Sequence, residues 1–302
     1  MVLEQDTPLT ACGAPLDVSP SAFGELRRVD PMDGARLRAR LEEDGYLYIP
    51  GFYDRDEVLA ARQELTGFLA AEGALDPDHP ALDAVAKAGL EMTFRADLGN
   101  SSRALSALIY SDRVLKLYEG LLGGEVRHYD YTWLRAVAPG FGTDPHLDIV
   151  FMGRGTPNVM TAWTPLGDID LRVGGLLVLE GSHRATDLRR TYGSLDVDAL
   201  CSNTEGQNLT GARGFMRSGA ITRDAAGLRE ELGGRWLTSE FAMGDLLTFG
   251  MFTVHASLDN RSRQIRLSSD SRYQLASEPV DERWIGEHPI AHGPQAKRRT
   301  IC

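Results

Sequence analysis

In the otherwise apolar run PHLDIVF, over Pro145 to Phe151, a histidine and an aspartate stand two positions apart. A histidine–x–aspartate triplet arises about once by chance in a chain of this composition, so its setting has to carry the argument. Residues i and i+2 of a strand face the same side. The run is therefore expected to be a strand that projects His146 and Asp148 together, with Leu147 and Ile149 packed behind. A neutral imidazole and a carboxylate on one face are two legs of a two-histidine, one-carboxylate facial triad. That donor set suits iron(II) and leaves three coordination positions open.

The third leg should be a histidine on a later strand. His79 sits in the loop DPDHP, His288 and His292 in a Pro- and Gly-containing tail, and His183 in a turn after a strand end. His128 lies on the first long strand, where a hydrogen-bonded structural histidine is the commoner case. His255, in LLTFGMFTVHASLDN, follows an apolar strand directly and completes the set best. Arg266 stands eleven residues further on, expected on the next strand after a hairpin. A guanidinium can pair with a carboxylate through two parallel hydrogen bonds. A keto acid that chelates iron through its 1-carboxylate and 2-oxo group leaves a distal carboxylate that needs such a partner.

Holding three ligands from distant parts of the chain requires a rigid scaffold. The 302 residues, 42% hydrophobic and 25% charged, can bury a substantial core. A net charge of -11 gives no general attraction to nucleic acid or anionic membrane, and neither is expected as a partner. The start MVLEQDTPLT lacks a basic and an apolar leader region, and no apolar run approaches the roughly eighteen residues of a membrane span. A cytoplasmic protein is expected. Cys12, Cys201 and Cys302 are far apart, odd in number and in no CxxC pair, which argues against a disulfide framework or a thiolate zinc site.

Residues 1–30, rich in Pro, Gly, Ser and Asp, read as an arm laid over the surface or partly disordered. A helix is expected over Asp33 to Glu43, a strand over Tyr46 to Ile49, then a helix capped by Asp54 with Val58, Leu59, Leu65, Phe68 and Leu69 on one face. A second helical region, SSRALSALIYSDRVLKLYEGLL, ends at Gly123 and Gly124. Short β-branched and aromatic runs follow: VRHYDYTWLRAV, HLDIVF, NVMTAWTPL, GGLLVLEG, DLLTFG and QIRLSSDSRYQ. This is the pattern of a β-sandwich or barrel behind a helical N-terminal third. One domain is expected over 31–285, with a tail over 286–302. An interval over 186–235, rich in Gly, Arg, Asp and Asn, reads as a long insertion between core strands. Its arginines, with Arg184, Arg189, Arg190, Arg213, Arg217 and Arg223 in and beside it, belong either to a solvated loop or to a lid that grips an anionic substrate.

In order and spacing these features resemble the phytanoyl-CoA dioxygenase (PhyH) family of Fe(II)- and 2-oxoglutarate-dependent oxygenases, over roughly residues 42 to 275. The resemblance is carried by EEDGYLYIPGFYDRDEV at Glu42 to Val58, the His146–Asp148 pair, TAWTPLGDID at Thr161 to Asp170, GGLLVLEGSHR at Gly174 to Arg184, and His255, Ser257 and Arg266. Glu180 replaces a proline usual in the family. The resemblance implies an α+β chain with a mainly β core: a double-stranded β-helix, the cupin-like jelly roll, supported by N-terminal helices. It implies that His146, Asp148 and His255 ligate Fe(II), and that Arg266 with Ser257 holds the distal end of 2-oxoglutarate. Trp163 matches a tryptophan that lines the cosubstrate pocket of relatives. Trp133 stands where relatives often place a polar or thioether side chain near the cosubstrate.

The expected reaction consumes dioxygen and 2-oxoglutarate, hydroxylates an unactivated C–H bond of a small molecule, and releases succinate and carbon dioxide. A secondary metabolite, an acyl derivative or an amino-acid derivative all suit the family, and an anionic substrate would suit the arginines. With Asp148 in the carboxylate position, hydroxylation is favoured over halogenation, while desaturation and cyclisation stay open. Two other readings keep the jelly roll. One is a cupin-type dioxygenase or isomerase that does not use 2-oxoglutarate, and the other is a non-catalytic ligand-binding protein. The completeness of the triad argues against the second.

Overall fold

The computed structural model describes residues 8–29, 34–199 and 219–297. Twelve strands run in chain order as β1 (Thr10–Ala11), β2 (Ala14–Pro15), β3 (Phe23–Glu25), β4 (Tyr46–Ile49), β5 (Val126–His128), β6 (Trp133–Val137), β7 (Met160–Pro165), β8 (Leu176–Leu179), β9 (Trp236–Thr238), β10 (Leu246–Gly250), β11 (His255–Ser257) and β12 (Arg266–Leu275). The α-helices are α1 (Gly34–Asp44), α2 (Arg55–Ala71), α3 (Ala96–Ser101), α4 (Arg103–Ile109), α5 (Asp112–Leu122), α6 (Ile149–Met152), α7 (Thr186–Arg190) and α8 (Ala225–Leu232). Arg213, Arg217, Cys201 and Cys302 lie outside the described residues. No described helix is long and apolar enough to cross a membrane.

Two sheets face each other. The larger has the order β4-β10-β7-β12-β5, with β6 also pairing to β12, and the smaller has the order β11-β8-β9-β3. All pairings are antiparallel except β3 with β9. This is the double-stranded β-helix. Helices α1 to α5 cover the outer face of the larger sheet, while α6, α7 and α8 pack with residues of the smaller one. Asp54 caps α2 by accepting from the Asp56 N–H, and Val58, Leu65 and Leu69 then pack with Leu105 and Val114 against Ala162, Leu246 and Leu267. Between the sheets lie Tyr46, Tyr48, Trp163, Val178, Leu237, Phe241 and Phe249.

The alternation along β12 locates the chemistry. Leu267 and Tyr273 pack into the helical layer, so the pleat turns Arg266, Ser268, Asp270, Arg272 and Gln274 to the opposite, inner face. All five are buried. A stripe of buried polar groups is costly unless partners or a ligand satisfy it.

Two local expectations are corrected here. PHLDIVF is not a strand: His146 makes one isolated bridge with His255, after which Asp148, at φ −63° and ψ −28°, opens α6. Leu147, Ile149, Val150 and Met152 are all buried, and a helical turn seats such near-consecutive apolar residues where a strand would expose alternate ones. The connection from β11 to β12 is likewise no hairpin, because β11 belongs to the smaller sheet and β12 to the larger.

Candidate active site

His146 and His255 are locked face to face by reciprocal main-chain bonds, 3.0 Å from the His146 N–H and 3.2 Å from the His255 N–H. Their Nδ1 atoms lie 2.8 Å from the Asp144 carbonyl and 3.0 Å from the Thr253 carbonyl. With each Nδ1–H donating to a carbonyl, each Nε2 keeps its lone pair, the form in which imidazole ligates a metal. Both Nε2 atoms face Asp148 Oδ1, at 3.7 and 3.8 Å. One ligand atom from each of the three residues falls within 4.8 Å of the others, and all three side chains are buried.

Burial pushes the His146 imidazolium down to about 3 and lowers His255 as well, so both rings are neutral near pH 7. Burial alone would raise the Asp148 carboxyl. The Arg272 guanidinium at 3.1 Å and the Thr161 hydroxyl at 2.5 Å outweigh it and hold the group below the usual carboxylate range. The constellation is two neutral imidazoles and one carboxylate, the donor set of a facial iron site.

A cavity of about 550 Å³ opens beside His146 and Asp148, which line it, within the usual size of small-molecule sites. Phe94, Tyr131, Trp133 and Phe151 give it aromatic walls, and Arg135, Arg223 and Arg272 bring positive charge. Arg223 is mostly exposed and its nearest carboxylate, Asp144, is 3.7 Å away, whereas Arg135 is engaged with Asp270 at 2.9 Å. Ala291 and His292, from the C-terminal segment, complete the wall.

Arg266 is fully buried and donates through Nη1 to the Gly174 carbonyl. Among the described residues it makes no ion pair, and its Nε has no partner. Burial, with Arg135 nearby, lowers the guanidinium to about 10. Ser268 Oγ, on the same face of β12, is also unpartnered. Asp270 and Asp259 are near enough to favour the charge but not to pair with it, and a carboxylate arriving there would pair with it directly.

The sequence profile of phytanoyl-CoA dioxygenase (PhyH) matches residues 41–268. The chain belongs to the phytanoyl-CoA dioxygenase family. It is a 2-oxoglutarate-dependent non-haem iron oxygenase, with iron(II), 2-oxoglutarate and dioxygen as its cofactor set. Relatives include the 1-deoxypentalenic acid 11-beta-hydroxylases of Streptomyces exfoliatus and Streptomyces arenae. Each is 28% identical over 252 residues, covering 78% of this chain and 79% of the relative. Similar solved structures are the epimerase SnoN in complex with Fe3+, alpha ketoglutarate and nogalamycin RO (TM-score 0.58, 24% identity, 87% of this chain and 95% of that one). EctD from S. alaskensis with 2-oxoglutarate and 5-hydroxyectoine is another (TM-score 0.58, 18% identity, 98% and 94%). At those identities the likeness is one of fold.

The donor set suits iron, and the unpartnered Arg266 suits the distal carboxylate of 2-oxoglutarate, so the residues present fit this family's cofactors. The structure brings His146, Asp148 and His255 together and puts Trp133 in the cavity wall. Ser257 Oγ, buried on the face of β11 shared with His255, accepts from the Thr143 N–H at 2.8 Å. Trp163 packs on Phe241, ring centroids 4.7 Å apart, between the sheets; like His255, Ser257 and Arg266, it is not among the residues that line this cavity. Sequence reasoning missed Thr161, Arg272, Arg135 and His292. The first two had a readable signal: Thr161 shares a strand face with Trp163, and Arg272 follows Arg266 by three strand repeats.

Proposed function

We propose that His146, Asp148 and His255 ligate Fe(II), that Arg266 with Ser257 holds the distal carboxylate of 2-oxoglutarate, and that the enzyme hydroxylates a C–H bond of an anionic, largely apolar small molecule. The observation that carries this reading is the convergence of ligand atoms from the three residues within 4.8 Å, with His146 and Asp148 lining a cavity and, among the described residues, a buried Arg266 guanidinium that makes no ion pair. When bound, the metal and keto acid supply oxidative decarboxylation to succinate and carbon dioxide, with one oxygen atom of dioxygen passed to the substrate. The protein's own part is geometric. The Asp144 and Thr253 carbonyls fix the imidazole tautomers, and Arg272 with Thr161 keeps Asp148 ionised. Phe94, Tyr131, Trp133 and Phe151 exclude water and accept an apolar body, and Arg223 supports a substrate carboxylate.

The name of the Streptomyces relatives, 1-deoxypentalenic acid 11-beta-hydroxylase, agrees with an acidic substrate. An epimerase and a carbocyclase of like fold favour a second outcome, C–H cleavage without net oxygen insertion. Product mass separates the two. The test is a panel of hydrophobic carboxylic acids and their methyl esters, scored for substrate-dependent succinate release. Acids are expected to stimulate turnover and to gain one oxygen atom, with KM rising at least about tenfold in Arg223→Ala as a charge-assisted bond is lost. Equal stimulation by the esters would sink the anionic part of the proposal.

A further inference from the structure

The two carboxylate oxygens of Asp148 have different surroundings. Oδ1 faces the histidine Nε2 atoms at 3.7 and 3.8 Å, whereas Oδ2 accepts from Thr161 Oγ1 at 2.5 Å and lies 3.1 Å from Arg272 Nη2. Arg272 is fixed on its other sides too. It is 1% exposed, its guanidinium carbon sits 4.6 Å from the centre of the Trp133 ring, and its Nε is 3.2 Å from Met152 Sδ. Arginine suits this place because its planar fork can hold an oxygen at one edge while stacking on an indole face.

Building on the metal site proposed above, we propose that Arg272, with Thr161, is a positioning residue that clamps Oδ2 and so presents Asp148 to the iron as a one-oxygen ligand. A carboxylate can bind a metal through one oxygen or two. With two bound, a six-coordinate iron held by two histidines keeps two open positions, too few for a chelating keto acid and dioxygen together. Rotating Asp148 toward two-oxygen binding would pull Oδ2 off a buried guanidinium and leave that cation unpaired in an aromatic wall, which opposes the rotation. The clamp therefore guards the third open position. It comes from strands β7 and β12 of the larger sheet, whereas the metal-facing groups come from β11 and from the segment that bridges to it.

The test uses the full chain, anaerobically, with Fe(II) alone and then with 2-oxoglutarate. Fe(II) affinity is read by competition with a chelator, and 2-oxoglutarate affinity from the visible absorbance of the iron–keto acid chelate. Arg272→Met is expected to raise the 2-oxoglutarate concentration for half-maximal absorbance by about tenfold or more, the usual scale for outer-shell changes, while Fe(II) affinity changes less. Thr161→Val should move the same way by a smaller factor, and Arg272→Lys should recover part of the loss. If Arg272→Met destabilises the protein, Thr161→Val and Arg272→Lys carry the comparison. Wild-type titrations and absorbance in Arg272→Met or Thr161→Val would overturn the clamp alone, as would parallel losses of Fe(II) and keto acid affinity. Absence of the chelate band in the unmodified protein would overturn the metal site itself, and the clamp with it.

Discussion

Arg266 is a buried residue unfavourable for the fold, and its proposed role is to pair with the distal carboxylate of 2-oxoglutarate. Its guanidinium is out of water and, among the described residues, has one main-chain acceptor and no carboxylate within ion-pair distance, a state that burdens the ligand-free protein. Arg266→Met, which keeps volume and removes charge, is therefore expected to raise the melting temperature of the ligand-free protein. The same change should raise the 2-oxoglutarate requirement at least about tenfold, by loss of a bidentate charge-assisted contact worth roughly 1.5–3 kcal/mol. Calorimetry and succinate-release kinetics read the two effects, and a variant that binds 2-oxoglutarate normally would remove Arg266 from the site. At this scale the triad was legible because types and spacing are local: His-x-Asp within one segment, and a histidine directly after an apolar strand. The Asp148–Arg272 pair was hidden because its partners are 124 residues apart in sequence and meet only when the two-sheet fold closes.

The C-terminal segment over 281–297 is strapped along one side of the cavity, whose wall takes Ala291 and His292 from it. Asp198, fully buried, receives Arg283 and Lys297 at 2.5 Å each and His292 Nδ1 at 2.8 Å, while Arg283 also pairs with Asp281 and Asp196. Trp284 packs on Trp133, centroids 4.7 Å apart, and so backs the ring under Arg272. Burial would raise the Asp198 carboxyl, but His292, Lys297 and Arg283 together depress it below its ordinary 3.8. A depressed carboxylate contributes its stability above the unfolded value and loses it as pH falls through the folded one. The strap is thus expected to stay closed from neutral pH to about 4 and to loosen only in stronger acid. Asp198→Asn should cost roughly 1.5–3 kcal/mol and loosen the segment at neutral pH, because Lys297 loses its carboxylate and Arg283 keeps only Asp281 and Asp196. Proteolysis between residues 281 and 297 and Trp284 fluorescence would report it, and unchanged protection would show that the pairs do not hold the strap. Most strands were readable as short β-branched and aromatic runs bounded by turn residues, as for β7, β8, β10 and β12. The short turn of α6 was not, since an apolar run of a few residues fits a strand or a helical turn equally well.

Across the whole molecule, the helical first third followed by β runs pointed to the layered architecture, and the family resemblance specified the jelly roll. Which sheet each strand joins was not written locally, so the crossing between β11 and β12 looked like a hairpin. The chain carries a net charge of -11, yet its cavity gathers Arg135, Arg223 and Arg272. Association of an anionic substrate should accordingly be local to the mouth and weaken with salt, with kcat/KM falling as ionic strength shortens the screening length to about 8 Å and below. The central claim is that His146, Asp148 and His255 hold iron that 2-oxoglutarate chelates. It is tested most directly by adding Fe(II) and 2-oxoglutarate to the protein without oxygen and recording the visible spectrum. A charge-transfer band that saturates with one iron per chain and is lost in His255→Ala is the predicted result; no band, or the same band in His255→Ala, would contradict the account.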